Sequence, residues 1–148
     1  MSTFTQILYQ IIFGTKNRER TLSENQRDKL FQYISGILTN HKCHLYQING
    51  IEDHIHILTH VHPSVALSDL VKDIKLASTK VIKENNLFPN FNGWQDGYAA
   101  FTYSIDRKET LIRYVANQIE HHRKTGFREE YLTVLKEQHV EFDEKYLL

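Results

Sequence analysis

The stretch Cys43-His-Leu-Tyr-Gln-Ile-Asn-Gly-Ile-Glu-Asp-His-Ile-His-Ile-Leu-Thr-His-Val61 decides the fold. It holds two runs rich in β-branched and aromatic residues, Cys43 to Ile48 and Ile51 to Val61, with Asn49-Gly50 between them. An Asn-Gly pair between two such runs predicts a tight turn and a β-hairpin. Along the second run the side chains alternate. His54 and His56 share one face of the strand, and Ile55 and Ile57 share the other. The isoleucines suit a helix-covered core, which leaves the histidines on the opposite face.

Upstream, Phe4 to Gly14 reads as a strand, ended by Gly14 and the polar segment Thr15–Arg20. Ser23-Glu-Asn-Gln26 has capping-box form, and Leu30, Phe31, Ile34, Ile37 and Leu38 recur at helical spacing. The spacing predicts a helix from Glu24 to Asn40. Downstream, Pro63 and Ser64 open a second helix with Leu67, Leu70, Val71, Ile74, Ala77 and Val81 on one face, ended by Asn85-Asn86. A loop from Leu87 to Gly97 leads to a fourth strand, Tyr98 to Ser104. Asp106 and Glu109 resemble a capping box for a helix through about His122, stopped by Gly126. A last helix runs from about Arg128 to Gln138.

The resulting order, β-α-β-β-α-β and then two helices, predicts an α+β fold with a ferredoxin-like, RRM-like antiparallel sheet. Helices cover one face and the open face carries the site. Residues 1–148 read as one catalytic unit, with no internal repeat and no domain boundary.

The 41% hydrophobic and 24% charged content is ordinary for a soluble globular protein. The apolar N-terminal stretch lacks a basic lead and is broken by Thr, Gln and Tyr, so neither a signal peptide nor a membrane span is expected. Cys43 is the only cysteine and cannot form an internal disulfide, which fits a reducing cytoplasm and a buried strand thiol. Eighteen basic residues balance 18 acidic ones. That neutrality argues against a nucleic-acid partner unless charges of one sign gather on one face. Nine histidines point toward metal or phosphate chemistry.

On residues alone, His54 and His56 are either surface histidines of an amphipathic strand or two neutral imidazoles sharing one metal. His60 and His62 read as surface residues. On the segment Thr110–His122, at about 100° per residue, Leu111, Ile112, Val115 and Ile119 form the apolar arc. Tyr114, Gln118 and His121 line its edge, and His122 projects nearer the arc. A tyrosine at that border is either packing or a nucleophile. With a reference pKa of about 10 it attacks poorly at neutral pH, and a divalent cation beside a phosphate would offset the developing charge.

His54-Ile55-His56 resembles the His-hydrophobic-His signature of the HUH nucleases. Tyr114-Val-Ala-Asn-Gln118-Ile-Glu-His-His122 resembles the nucleophile helix of their single-tyrosine transposase branch, encoded by small insertion sequences. Phe13-Gly-Thr-Lys16-Asn-Arg18 and Gly93-Trp-Gln-Asp-Gly-Tyr98-Ala-Ala-Phe101 are similar too, and the likeness runs from about Leu8 to Tyr146. The resemblance implies that Tyr114 attacks a DNA phosphate to give a 5′-phosphotyrosine and a free 3′-hydroxyl. It implies Mg²⁺ or Mn²⁺ on His54 and His56 with Gln118 as third ligand. It further implies a homodimer that recognises hairpins in single-stranded DNA at the element's ends, with a site that can be shared between subunits. That work is expected in a prokaryotic cytoplasm, without a membrane. Lys16, Arg18, Lys72, Lys75, Lys80 and His121 are the candidate DNA contacts. Two other readings stand beside this one: a non-catalytic single-stranded nucleic-acid-binding module, and a metal phosphoesterase that uses activated water.

Overall fold

The computed structural model describes residues 2–122 and 126–143. One antiparallel sheet contains β1 (Leu8–Gly14), β2 (His44–Gly50), β3 (His54–His60) and β4 (Ala99–Tyr103), in the order β2-β3-β1-β4. Helices α1 (Glu24–Asn40) and α2 (Leu67–Glu84) are its crossovers, followed after β4 by α3 (Lys108–Ala116), α4 (Gln118–His122) and α5 (Phe127–Glu137). This is the expected ferredoxin-like order of elements. Among the described residues no helix is long and apolar enough to cross a membrane.

Register sorts the side chains between two layers. Ile11 and Phe13 of β1 and Ile55 and Ile57 of β3 meet Leu30, Ile34 and Leu38 of α1 and Leu70, Val71 and Ile74 of α2. Burying each such aliphatic side chain contributes about 1.5–3 kcal/mol, so this layer carries most of the hydrophobic stabilisation. Ser78 sits in the buried face of α2 because the Trp94 indole donates to its hydroxyl at 3.0 Å. The other face of the sheet presents Leu8, Gln10 and Ile12 opposite His60, Leu58 and His56.

That second face is not open. Leu111 and Val115 of α3 pack on Leu8 and Leu58, and Tyr131, Val134 and Leu135 of α5 pack on Ile12, Ala99 and Phe101. The physical reason lies in β1, β3 and β4, which alternate apolar residues on both faces and so need cover on both.

Several boundaries differ from expectation. Asn49-Gly50 is the end of β2, not the turn; the chain reverses over Ile51–Asp53, closed by the Ile51 amide on the His54 carbonyl at 3.1 Å. A Cβ on Gly50 would lie 2.4 Å from the His54 carbonyl oxygen, so glycine is required there by close approach rather than by a turn. Helix α2 starts at Leu67, because the His62 ring engages the Ser64 hydroxyl at 2.6 Å and its amide at 3.1 Å, which holds Pro63-Ser64 as a turn. Neither Ser23 nor Asp106 forms the expected side-chain cap. The helix expected through His122 breaks at Asn117, where the Asn49 side chain donates to the Ala116 carbonyl at 2.9 Å. Past that break the phase changes, and Ile119 is exposed rather than in the apolar arc.

His41 ties α1 to α2. Its Nδ1 bonds the Ile37 carbonyl at 2.9 Å and its Nε2 lies 2.9 Å from Asp73. The Ile37 carbonyl, opposed by partial burial and aided by Asp73, raises its pKa above the ordinary 6.5. The protonated form is favoured in the folded state, so this stability is fully present below the unfolded pKa and is lost as pH rises through the folded one. The gain in melting temperature of the native protein over His41→Ala should therefore shrink as pH is raised from mildly acid through neutral. Because Asp73 is half exposed, the full effect stays under about 1 kcal/mol, and thermal melts across pH measure it.

Candidate active site

His54 and His56 are fully buried, one register step apart on β3, with rings 5.1 Å apart. Each ring is oriented through its Nδ1. His54 Nδ1 lies 2.7 Å from the Asp53 carboxylate, and His56 Nδ1 lies 2.8 Å from the Gln10 carbonyl oxygen. Gln10 in turn donates to the Tyr103 hydroxyl at 3.0 Å. With both Nδ1 positions acting as donors, both Nε2 atoms are the ones left to face a metal.

Strand alternation carried back one residue from His54 would place Asp53 on the opposite face. Strand β3 begins only at His54, so alternation does not reach Asp53, and its carboxylate turns back to the imidazole. Burial works against its charge, yet His54, Arg18 and Arg20 hold its carboxyl below the ordinary carboxylate value. Arg18 reaches it at 3.6 Å from the turn after β1, where Thr15 binds the Asp53 carbonyl through its amide at 2.9 Å. Outer carboxylates of this kind fix imidazole orientation, and their loss costs about 10- to 100-fold in metal affinity. Asp53→Ala should weaken Mn²⁺ binding by that factor while both histidines stay in place, as calorimetric titration will show.

Facing the pair from α3 is Tyr114, half-buried, its ring 5.9 Å from that of His56 at 80°. Burial first, then the charge of Glu130 and a hydrogen bond to it, push the phenol well above its ordinary range, while a hydrogen bond from Gln118 pulls it down. Gln118 is fully buried, and its Nε2 also lies 3.4 Å from the Tyr114 carbonyl oxygen. Glu130, buried on α5, brings Oε1 to 3.0 Å from His56 Nε2. One ligand atom each from His54, His56 and Glu130 lies within 4.8 Å of the others, a buried group able to hold a metal ion. Its donor set of two tautomer-fixed imidazoles and a carboxylate suits a divalent cation. Beside Tyr114 and Glu130, between α3 and α5, lies a cavity of ≈ 440 Å³ whose wall includes Gln10, Tyr103, Arg107 and Thr110.

Of the residues expected at the site, the structure brings together His54, His56, Tyr114 and Gln118. Arg18 stands behind His54 through Asp53, and Lys16 is exposed on the same turn. Lys72, Lys75 and Lys80 lie on α2, across the sheet from the histidines. Lys75 clamps a loop, donating to the Gln95 and Gly97 carbonyls at 2.9 and 2.8 Å, and burial lowers its pKa. Lys80 is 4.0 Å from Glu84. The His121 side chain lies outside the described residues. Sequence reasoning missed Glu130, Gln10 and Asn49. The one available signal for Glu130 was its spacing four residues before Val134, an acid in line with an apolar stripe.

A sequence model of the family described as IS200-like transposase matches residues 3–118, most of the chain. The chain belongs to the IS200-like transposase family. Among similar proteins is the ISDra2 transposase TnpA of Deinococcus radiodurans, 25% identical over 120 residues that cover 76% of this chain and 84% of the relative. A candidate transposase of Deinococcus radiodurans R1 superposes with a TM-score of 0.61 at 24% identity, over 80% of this chain and 95% of that one. A REP-associated tyrosine transposase bound to a REP hairpin does so with a TM-score of 0.61 at 15% identity, over 86% and 76%. These two likenesses are of fold. The IS200-like match contains the histidine pair, Tyr114 and Gln118, and it ends at Gln118, so α5 and Glu130 lie beyond it.

Proposed function

We propose that this IS200-like transposase cuts and rejoins single-stranded DNA at insertion-sequence ends through a 5′-phosphotyrosine on Tyr114. The observation that carries the reading is the placement of the Tyr114 ring 5.9 Å from His56, with Glu130 and Gln118 on its hydroxyl. In the proposed step the phenolic oxygen bonds to phosphorus as the P–O3′ bond breaks. The phenol loses a proton and the departing 3′-oxygen gains one, so no further reactant is consumed. Rejoining reverses the step with the 3′-hydroxyl of another strand. Mg²⁺ or Mn²⁺ on His54 and His56, with an oxygen donor that the family pattern gives as Gln118, would supply Lewis-acid stabilisation of the phosphate. Gln10 and Asp53 keep both imidazoles turned toward it.

The scissile phosphate is proposed to enter through the cavity between α3 and α5, whose wall includes the Arg107 guanidinium. Among the candidate DNA contacts, Lys16 and Arg18 are on the site's side of the sheet, and they are preferred over Lys72 and Lys80. A DNA hairpin beside the cleaved strand is the proposed partner, in keeping with the hairpin-bound neighbour. The chain is proposed to act as a homodimer in a prokaryotic cytoplasm. Because Tyr114 stands beside its own chain's His56, each site is read as complete within one chain.

The test is to incubate the protein with Mn²⁺ and single-stranded DNA carrying its element's end, and to resolve the products on a denaturing gel. A covalent adduct that requires Tyr114 supports the reading. Cleavage without an adduct, persisting in Tyr114→Phe, sinks it in favour of water attack, and binding without cleavage sinks it in favour of a binding module.

A further inference from the structure

We propose that Gln95, in the loop before β4, and Lys75 of α2 are positioning residues for the proposed reaction. Together they hold the turn after β1 that carries Lys16 and Arg18, and Lys75 is not itself a phosphate contact. The inference deepens the reading above and rests on it, since it takes Lys16 and Arg18 to face the bound strand.

Three observations carry it. The first is where the sheet stops. Strand β4 pairs with β1 only as far as Ile12. Beyond it, Gln95 takes both main-chain groups of Gly14: its amide donates to the Gly14 carbonyl at 3.0 Å, and its side-chain oxygen accepts from the Gly14 amide. Gly14 is the ladder partner of His54. A Cβ there would lie 2.8 Å from the Gln95 side-chain oxygen and 3.0 Å from the Asp53 carbonyl oxygen, so the grip closes only on glycine. The next residues are held by the same loop, since Thr15 bridges to Trp94 and the Lys16 amide donates to the Gly93 carbonyl at 2.8 Å. The second observation is how Lys75 is occupied. An ammonium has three donors, and Lys75 Nζ meets three successive carbonyls, those of Gln95, Asp96 and Gly97, at 2.9, 3.4 and 2.8 Å. Its donors are spent on the loop, and none is left for a phosphate. The third is a second anchor. Trp94 donates to Ser78 of α2 and packs edge-on against Phe13 and Phe91, with ring centroids 5.0 and 5.1 Å apart. The loop is thus tied to α2 at two points and to the turn at three residues. From that turn Arg18 reaches the Asp53 carboxylate at 3.6 Å. This gives a physical role to the Gly93–Phe101 stretch, which the family resemblance singles out and the proposed chemistry leaves unused.

The test follows adduct formation by the full chain with Mn²⁺ and single-stranded DNA carrying the element's end, at saturating DNA and below each variant's melting temperature. Gln95→Ala should lower the rate at least about tenfold, as small misplacements far from the chemistry do. Gln95→Glu, whose carboxylate still accepts from the Gly14 amide, should recover most of that loss. Lys75→Met should lower the rate to a similar degree. The double variant should fall no further than the slower single one, because both act through one loop; additive losses overturn the shared route. The salt dependence of DNA binding should be the same in Lys75→Met as in the native protein. A slope reduced by about 0.7, the loss of one phosphate contact to a single strand, overturns the assignment of Lys75. A rate equally low in Gln95→Glu and Gln95→Ala overturns the role of the side-chain oxygen. If Lys75→Met melts below the working temperature, the two Gln95 variants decide alone. Absence of any adduct with the native protein defeats the reading beneath this one, whereas a native adduct formed at full rate by Gln95→Ala defeats only the clamp.

Discussion

Tyr114→Phe should abolish the covalent protein–DNA adduct, with a fall of at least about a thousandfold in strand cleavage, while the protein folds as before. Phenylalanine keeps the ring against Leu8, Leu58, Leu111 and Val115, so the packing of α3 on the sheet is retained. What is lost is one oxygen, and no other hydroxyl or thiol on the described sheet face replaces it as a nucleophile beside His56 except Tyr103, whose oxygen is already engaged by Gln10. Resting, Tyr114 is a poor nucleophile: its burial and the adjacent Glu130 charge both favour the neutral phenol. A cation held by the histidine pair would offset the carboxylate's charge, so on the proposed function cleavage should depend on metal more steeply than DNA binding does. Gel assays of adduct and filter binding of the same DNA, run in parallel across a Mn²⁺ titration, separate the two.

The second large effect concerns the metal. Stripping the native protein with EDTA should cut adduct formation at least about a hundredfold, and added Mn²⁺ should restore it. His56→Ala should show the same loss with no recovery on adding Mn²⁺. The substitution removes one ligand nitrogen and the partner of both Gln10 and Glu130. Leaving the Gln10 carbonyl oxygen without that donor in a buried site costs about 1–3 kcal/mol, so the melting temperature should drop as well. His60→Ala is the control, because His60 lies on the same strand face at the sheet's margin, where its ring accepts from the Ile7 amide at 3.1 Å. Equal loss of activity in His60→Ala would mean that strand integrity, not ligation, is being measured.

The features legible in the sequence are those that repeat along one element. Leu30, Ile34 and Leu38 mark α1 to its ends, and the alternation of His54 and His56 with Ile55 and Ile57 fixes which side of β3 holds the site. What escaped depends on contacts between elements. Gly50 looks like a turn residue, yet its constraint comes from the His54 carbonyl across the ladder. Periodicity carried through Asn117 puts Ile119 in the core, but Asn49 on β2 captures the Ala116 carbonyl and the phase is reset. Asp53 lies one residue before the start of β3, so strand alternation does not predict that its carboxylate turns to His54. Glu130 reaches the histidines across a chain separation that no local pattern encodes. Tyr114 and Gln118 came from the single-tyrosine signature, and the structure sets Tyr114 beside His56 with Gln118 bonded to it.

The roof that α3 and α5 place over the histidine face has a consequence for the chain as it is made. The sheet and both of its crossover helices need only the residues up to Tyr103, whereas Tyr114 and Glu130 arrive after it. Domains begin to fold as they leave the ribosome, at about 5–20 residues per second. A nascent chain can thus settle its scaffold first and gain the proposed nucleophile, Tyr114, only after β4 has been made. A fragment ending before Tyr114 would keep the histidine pair but have no means of joining itself to a broken strand.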